Sequence, residues 1–176
     1  MRGFRFAAVV LGVCGLLADL VLPAAVAAKP AAEAPQADPA EELYFSANAL
    51  YNRRLYELSA REYRTFLKDY SRHKRKAKAE LGLALSLYAL GDYAAAEPLL
   101  AKAAKVGKDE MAQQVAVLRG QSLLKLKRAA EAEKVYLAAT RTNKGRALAD
   151  AWVGLTEARF QQEKWSDVMS AAAAML

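Results

Sequence analysis

The sequence predicts an all-α fold, an α-solenoid of about four helical hairpins, on three observations. In residues 81–105, LGLALSLYALGDYAAAEPLLAKAAK, apolar residues recur at helical spacing on both sides of a Gly91-Asp92 break, the pattern of two helices folded back on one another. The turn then recurs: Arg54-x-Tyr56, Gly91-x-Tyr93, Lys127-x-Ala129 and Glu163-x-Trp165 follow at steps of 37, 36 and 36 residues. The 176-residue chain is alanine-rich, 55% hydrophobic and poor in glycine, which suits one helical core or one short solenoid and not two sizeable domains. A lone hairpin buries too few large side chains, at roughly 1.5–3 kcal/mol each, to stand by itself, so its neighbours must stack on it.

Residues 1–28 open with Arg2 and Arg5, run through an apolar stretch and reach Ala25-Val26-Ala27 before Ala28-Lys29. That is the layout of a secretory signal peptide, with small residues where a signal peptidase reads. Export to the periplasm or cell envelope is expected. The alternative is an uncleaved inner-membrane anchor, against which Asp19 weighs, since a carboxylate costs about 2.5–3.5 kcal/mol at the centre of a membrane helix. The only cysteine, Cys14, lies here behind Val13, so the rest of the chain has no thiol nucleophile and no internal disulfide. Of the net charge of +7, Arg2, Arg5 and Asp19 account for +1, which leaves a modest basic excess of +6. Residues 29–38, KPAAEAPQAD, carry Pro30 and Pro35 among alanines and predict an extended linker.

Residues 39–176 hold the repeats. Asp38-Pro39-Ala40-Glu41 supplies a capping carboxylate, a first-turn proline and an acid three residues past the cap, predicting a helix over 39–53 with a partner over 55–70. The densest charge run follows at 71–78, with Arg72, Lys74, Arg75, Lys76 and Lys78 around His73. It reads either as a solvated loop or as a basic patch for an anionic envelope surface. Nucleic acid is not expected, because no stacking aromatics interleave these charges and export separates the chain from it. In the next hairpin Gly91 suits a left-handed helix end and Asp92 an N-cap, while Pro98 predicts a kink near the helix start. Helices are then predicted over 109–126, 129–142, 147–162 and 165–176, with Gly107 and Gly145 at left-handed helix ends. The last of these has no polar capping helix after it, so the array is expected to continue in a longer chain or to meet another subunit.

Beyond the first segment there is one histidine, His73, and Asp69 one turn upstream is a single further ligand, too few for a zinc site. The acidic neighbours Glu41/Glu42, Asp109/Glu110 and Glu131/Glu133 sit where helix starts favour negative charge. No phosphate-cradling glycine loop is present, and neither catalysis nor a cofactor nor a metal is expected.

The small residues Ala47, Ala84, Gly120 and Thr156 before each turn, Ser59, Ala96, Ala132 and Val168 after it, and Tyr63, Leu100, Tyr136 and Ala172 four further on give a pattern that resembles the tetratricopeptide repeat family. The resemblance is fullest in LGLALSLYALGDYAAAEPLL and spans roughly 39–176. It departs at Arg54, Lys127 and Glu163, where the turn glycine is replaced, at Ala129 and Val168, and in a period longer than the family's 34. It implies a right-handed superhelix whose concave groove, lined by the first helix of each hairpin, binds a protein or an extended peptide. By position it places Tyr44, Asn48, Tyr51 and Asn52 on that groove, then Leu81, Leu85 and Tyr88, then Val117, Gln121 and Leu124, then Val153, Glu157 and Phe160. The ladder Tyr51, Tyr88, Leu124, Phe160 would take alternate side chains of the ligand while Asn48, Asn52 and Gln121 bond its backbone. Family members that clamp acidic chaperone tails use lysine and arginine where this chain has Tyr44, Gly82, Gln114 and Leu118, so that ligand is not expected. With its signal-like start the chain is similar to periplasmic members of outer-membrane assembly and cell-division systems, which implies a non-catalytic scaffold in the bacterial cell envelope. An inner-membrane-anchored regulator, or the N-terminal part of a larger protein with more repeats or an enzymatic domain, are the alternatives.

Overall fold

The structure, a computed structural model, describes residues 38–105 and 110–174. Among them are eight helices and no strand: α1 (Pro39–Asn52), α2 (Tyr56–Asp69), α3 (Lys76–Ala89), α4 (Tyr93–Ala103), α5 (Glu110–Lys125), α6 (Ala129–Thr142), α7 (Gly145–Phe160) and α8 (Trp165–Ala173). Every helix packs on its successor, and first helices of neighbouring hairpins also meet, α1 on α3 and α5 on α7. This is the all-α solenoid of four hairpins that the repeat spacing predicts. The expected leader at 1–28, residues 29–37 of the linker, Gly107, Asp109 and residues 175–176 lie outside the described residues.

The four turns share one conformation. Arg54, Gly91, Lys127 and Glu163 all have positive φ, at 62°, 81°, 61° and 59°. After each, an amide reaches back five residues, Leu55 N to Leu50 O, Asp92 N to Leu87 O, Arg128 N to Leu123 O and Lys164 N to Arg159 O, at 2.9–3.1 Å. A left-handed residue followed by such a bond is the Schellman ending, which satisfies carbonyls the helix leaves open. Three of the four turns therefore hold a non-glycine residue in a backbone region that favours glycine.

Helix starts are less uniform. Asp38 accepts from Ala40 N at 3.0 Å and Asp92 from Ala95 N at 3.2 Å, as their types predict. Glu41 does not close a capping box; it faces the 71–78 segment instead. That segment is shorter as a loop than expected, because α3 begins at Lys76 and carries Lys76 and Lys78 on its first turn. Helix α4 runs through the exposed Pro98 without interruption. The left-handed Gly145 does not end α6 but opens α7, two residues earlier than predicted, since Asn143 already leaves α6 in extended geometry. Buried Asn143 donates to Gln113 O and Ala147 O, and Lys144 N donates to Gln113 Oε1, which pins this connection to α5.

The joints between hairpins are where the core lies. The fully buried Tyr63 ring of α2 lies over Gly82 of α3, where an added Cβ would sit 2.2 Å from the ring. Two hairpins later the fully buried Tyr136 ring lies between Gly120 of α5 and Gly154 of α7, with hypothetical Cβ contacts of 2.5 and 2.2 Å. At the same register of the middle joint, Leu100 replaces the tyrosine and Leu118, in place of glycine, packs on the cluster that contains it. Bulk on one helix is thus matched by lack of it on the next.

A second row crosses the joints by charge. Glu97 accepts from Arg119 Nε at 2.8 Å and lies 3.9 Å from Arg128; its counterpart Glu133 accepts from Arg159 Nε, Lys164 Nζ and Gln162 Nε2 at 3.1, 2.6 and 3.0 Å. The Lys164 ammonium above all, then Arg159 and Gln162, hold the Glu133 carboxyl below the usual carboxylate range although burial pushes it up. A depressed folded-state pKa contributes stability above the unfolded value of about 4.3 that disappears as pH falls through the folded value. Glu133→Gln is accordingly expected to cost roughly 1–2 kcal/mol at pH 7 and progressively less as the pH is lowered into the acid range, read as converging urea midpoints of the two proteins. A constant gap across that range would reject the electrostatic account.

Candidate functional site

The residues at stake come from the first helix of each hairpin, where steps of three and four residues put Tyr44, Asn48 and Tyr51 on one face. The 37/36/36 period then aligns Asn48, Leu85, Gln121 and Glu157 in one row and Tyr51, Tyr88, Leu124 and Phe160 in the next. In the second half of the solenoid these rows border two neighbouring hollows. One, of about 300 Å³, is lined by Gln121, Leu124, Lys125, Lys127, Glu157 and Gln161. The other, of about 270 Å³, is lined by Val153, Thr156, Glu157 and Phe160. Glu157 belongs to both, with Oε1 accepting from Gln161 Nε2 at 2.7 Å. Phe160 is 54% exposed.

In the first half the same rows are occupied by internal contacts. Asn48 accepts from Tyr63 Oη at 2.6 Å and donates to Tyr44 O at 3.0 Å, which uses both ends of its amide. Tyr88 Oη donates to Gln121 Oε1 at 2.7 Å, tying the second hairpin to the third. The ladder rings also lean on the first residue of their own second helix: Tyr51 on Tyr56, Tyr88 on Tyr93 and Phe160 on Trp165, with centroids 5.2–5.4 Å apart. Burial, and secondarily the neighbouring tyrosine, pushes the Tyr51 and Tyr88 hydroxyls up, so both remain neutral donors at physiological pH. Leu85 is half-buried and Asn52 exposed.

The row of Tyr44, Leu81, Val117 and Val153 is not a continuous lining. Tyr44 is wedged among Phe45, Tyr63 and Phe66. Leu81 faces a separate apolar hollow of about 340 Å³ with Leu99, Met111 and Val115. Val117 is fully buried in the core, so the groove position expected for it is corrected, and Val153 alone opens onto the hollows described above. Gly82, expected on the groove side, lies beneath the Tyr63 ring.

The basic segment folds against the acidic start of α1. Arg75 Nε bonds Glu41 Oε2, Lys74 Nζ lies 3.0 Å from Glu41 Oε1, and the Arg75 guanidinium sits 4.9 and 4.8 Å from the Tyr44 and Phe45 ring centres. Such a cation over two rings is favourable where it is partly desolvated. The Lys74 bond, then Arg75, lowers the Glu41 pKa. Arg72, Lys76 and Lys78 are exposed. His73 packs edge-on against Phe66, with Nε2 3.3 Å from Asp38 and 4.0 Å from Glu41. Asp38, Glu41 and His73 present three ligand atoms close together. His73 Nδ1 accepts from Arg75 N at 3.2 Å, and its Nε2 is directed at Asp38.

Sequence reasoning missed the Glu97 and Glu133 joints, though a signal existed: the two acids are one period apart and each is followed 31 residues later by a cation, Arg128 or Lys164. It also missed that Tyr63 and Tyr136 differ. Tyr63 has Asn48, whereas the buried Tyr136 hydroxyl has no partner among the described residues, the equivalent Gln121 being held by Tyr88.

In comparison with known proteins, the family described as Tetratricopeptide repeat matches residues 46–110 and again 81–147, together more than half of the chain. No curated protein matches it.

Proposed function

The chain belongs to the tetratricopeptide repeat family, and on that premise we propose that it is a non-catalytic scaffold of the bacterial cell envelope that holds an extended segment of a partner protein in its groove. The observation that carries this reading is the pair of hollows that share Glu157 and are walled by Gln121, Leu124 and Phe160. Leu124, Val153 and Phe160 offer apolar contact for side chains two apart in an extended ligand, while the ends that internal bonds leave over, Gln121 Nε2, Glu157 Oε2 and Gln161 Oε1, offer backbone hydrogen bonds between them. On this reading the ligand lies along the third and fourth hairpins. The tyrosines of the first two, engaged with Asn48, Gln121, Tyr56 and Tyr93, brace the frame.

A photo-cross-linking residue substituted at Glu157 is expected to label one discrete partner peptide in cells, while the same group at exposed Lys134 on α6 labels none. Equal labelling at both would reject the groove. Envelope location rests on the signal-like residues 1–28, and the N-terminal mass of the purified protein is expected to correspond to cleavage after Ala27 or Ala28. An intact Met1 would favour the anchored alternative.

A further inference from the structure

The joints between hairpins are built from equivalent positions, and the second differs from the first and third in what fills it. In the first, the fully buried Phe66 ring of α2 lies 6.0 Å from the Tyr44 ring of α1, and the Arg75 guanidinium of α3 covers Tyr44 at 4.9 Å. In the third, the counterparts of Phe66, Tyr44 and Arg75 are Ala139, Val117 and Ala147, and the connecting segment supplies the bulk instead. Buried Asn143 donates there to Gln113 O and Ala147 O at 3.4 and 3.3 Å, spanning α5 to α7. One period earlier Gln113 and Ala147 correspond to Ala77 and Met111, and these two line the 340 Å³ hollow of the second joint. The hollow therefore lies where the third joint holds an amide and the first holds a ring. Ala103 stands in it at the position of Phe66.

Its chemistry has two parts. Leu81, Leu99, Val115 and the 56% exposed Met111 give aliphatic walls, and the volume is at the small end of the roughly 300–1,000 Å³ of ligand cavities, room for one chain and not two. The polar groups lining it are the side chains of Lys78, Glu80 and Lys102. Lys102 Nζ is 2.6 Å from Glu80 Oε2, while the exposed Lys78 has no ion-pair partner among the described residues. An aromatic ligand would lack the facing rings that the first joint provides, and a peptide would bring backbone groups that aliphatic walls leave unpaired. A flexible hydrocarbon chain asks only for apolar contact, and Lys78 complements an anion at its end.

We infer that this hollow is a binding site for a single-chain anionic amphiphile, with the acyl chain among Leu81, Leu99, Met111 and Val115 and the carboxylate or phosphate at Lys78. The site is separate from the groove hollows, so it stands whether or not the groove holds a partner segment.

Isothermal titration calorimetry of the purified chain with sodium decanoate, kept below micelle formation, tests it. Binding is expected at one decanoate per chain, with octanoate roughly tenfold weaker for the loss of two buried methylenes. Decyltrimethylammonium, the same chain length with the opposite charge, is expected to bind at least about tenfold more weakly than decanoate. Ala103→Phe, which places in the second joint the ring that fills the first, is expected to abolish binding, and Lys78→Glu to weaken it about fivefold. Circular dichroism checks that both variants are folded, and Lys78→Glu, at an exposed position, keeps the test open if Ala103→Phe is not. No decanoate binding, equal affinity for the cationic amphiphile, or unchanged affinity in folded Ala103→Phe would each overturn the inference. Co-sedimentation with phosphatidylglycerol vesicles separates a free amphiphile from a bilayer: retention by vesicles without decanoate binding would assign the cations to a membrane surface and reject the hollow as a site.

Discussion

Gly154→Leu is expected to destabilise the second half of the solenoid by roughly 3 kcal/mol, because even a methyl group there would sit 2.2 Å from the Tyr136 ring, which is itself held on its other side by Gly120. Tyr136→Leu alone is expected to cost about 2–4 kcal/mol by leaving a cavity between two glycines. Together the two substitutions rebuild the leucine-on-leucine joint that the chain already uses at Leu100 and Leu118, and most of the loss should be recovered. A coupling of at least about 2 kcal/mol in a double-mutant cycle, measured by urea unfolding of the four proteins, is the expected outcome. Simple additivity would mean that the joints are not paired by size.

The second large effect is in the opposite direction. Arg54, Lys127 and Glu163 each occupy a left-handed position that costs an ordinary residue about 1–2 kcal/mol, partly offset by the greater unfolded-state freedom of glycine. Replacing all three by glycine is expected to stabilise the protein by about 2 kcal/mol in total, raising Tm by roughly 6–10 °C, while Gly91→Ala lowers it. Stacked hairpins couple chiefly to their neighbours, so hydrogen exchange should locate each gain around its own turn. An unchanged or lowered Tm for the triple variant would show that these side chains contribute more to the folded state than their backbone strain removes.

The sequence by itself determined the number of hairpins, the positions of the turns and the family, because these follow from local chemistry. Helical spacing of apolar residues and the turn chemistry of Gly91-Asp92 depend on residues a few places apart, and even the three turns without glycine were located by period alone. The rows Asn48–Glu157 and Tyr51–Phe160 were likewise legible as one face of each first helix. Only the tertiary structure decided which members of those rows are open. Asn48 is spent on Tyr63, Tyr88 on Gln121 and Val117 on the core, while Gln121, Leu124, Glu157 and Phe160 border hollows. It also decided that Lys74 and Arg75 of the basic run pair with Glu41. The reason is physical: a side chain's availability depends on partners 15 to 34 residues away, set by how helices stack, and helical periodicity says which way a residue points but not what it meets there.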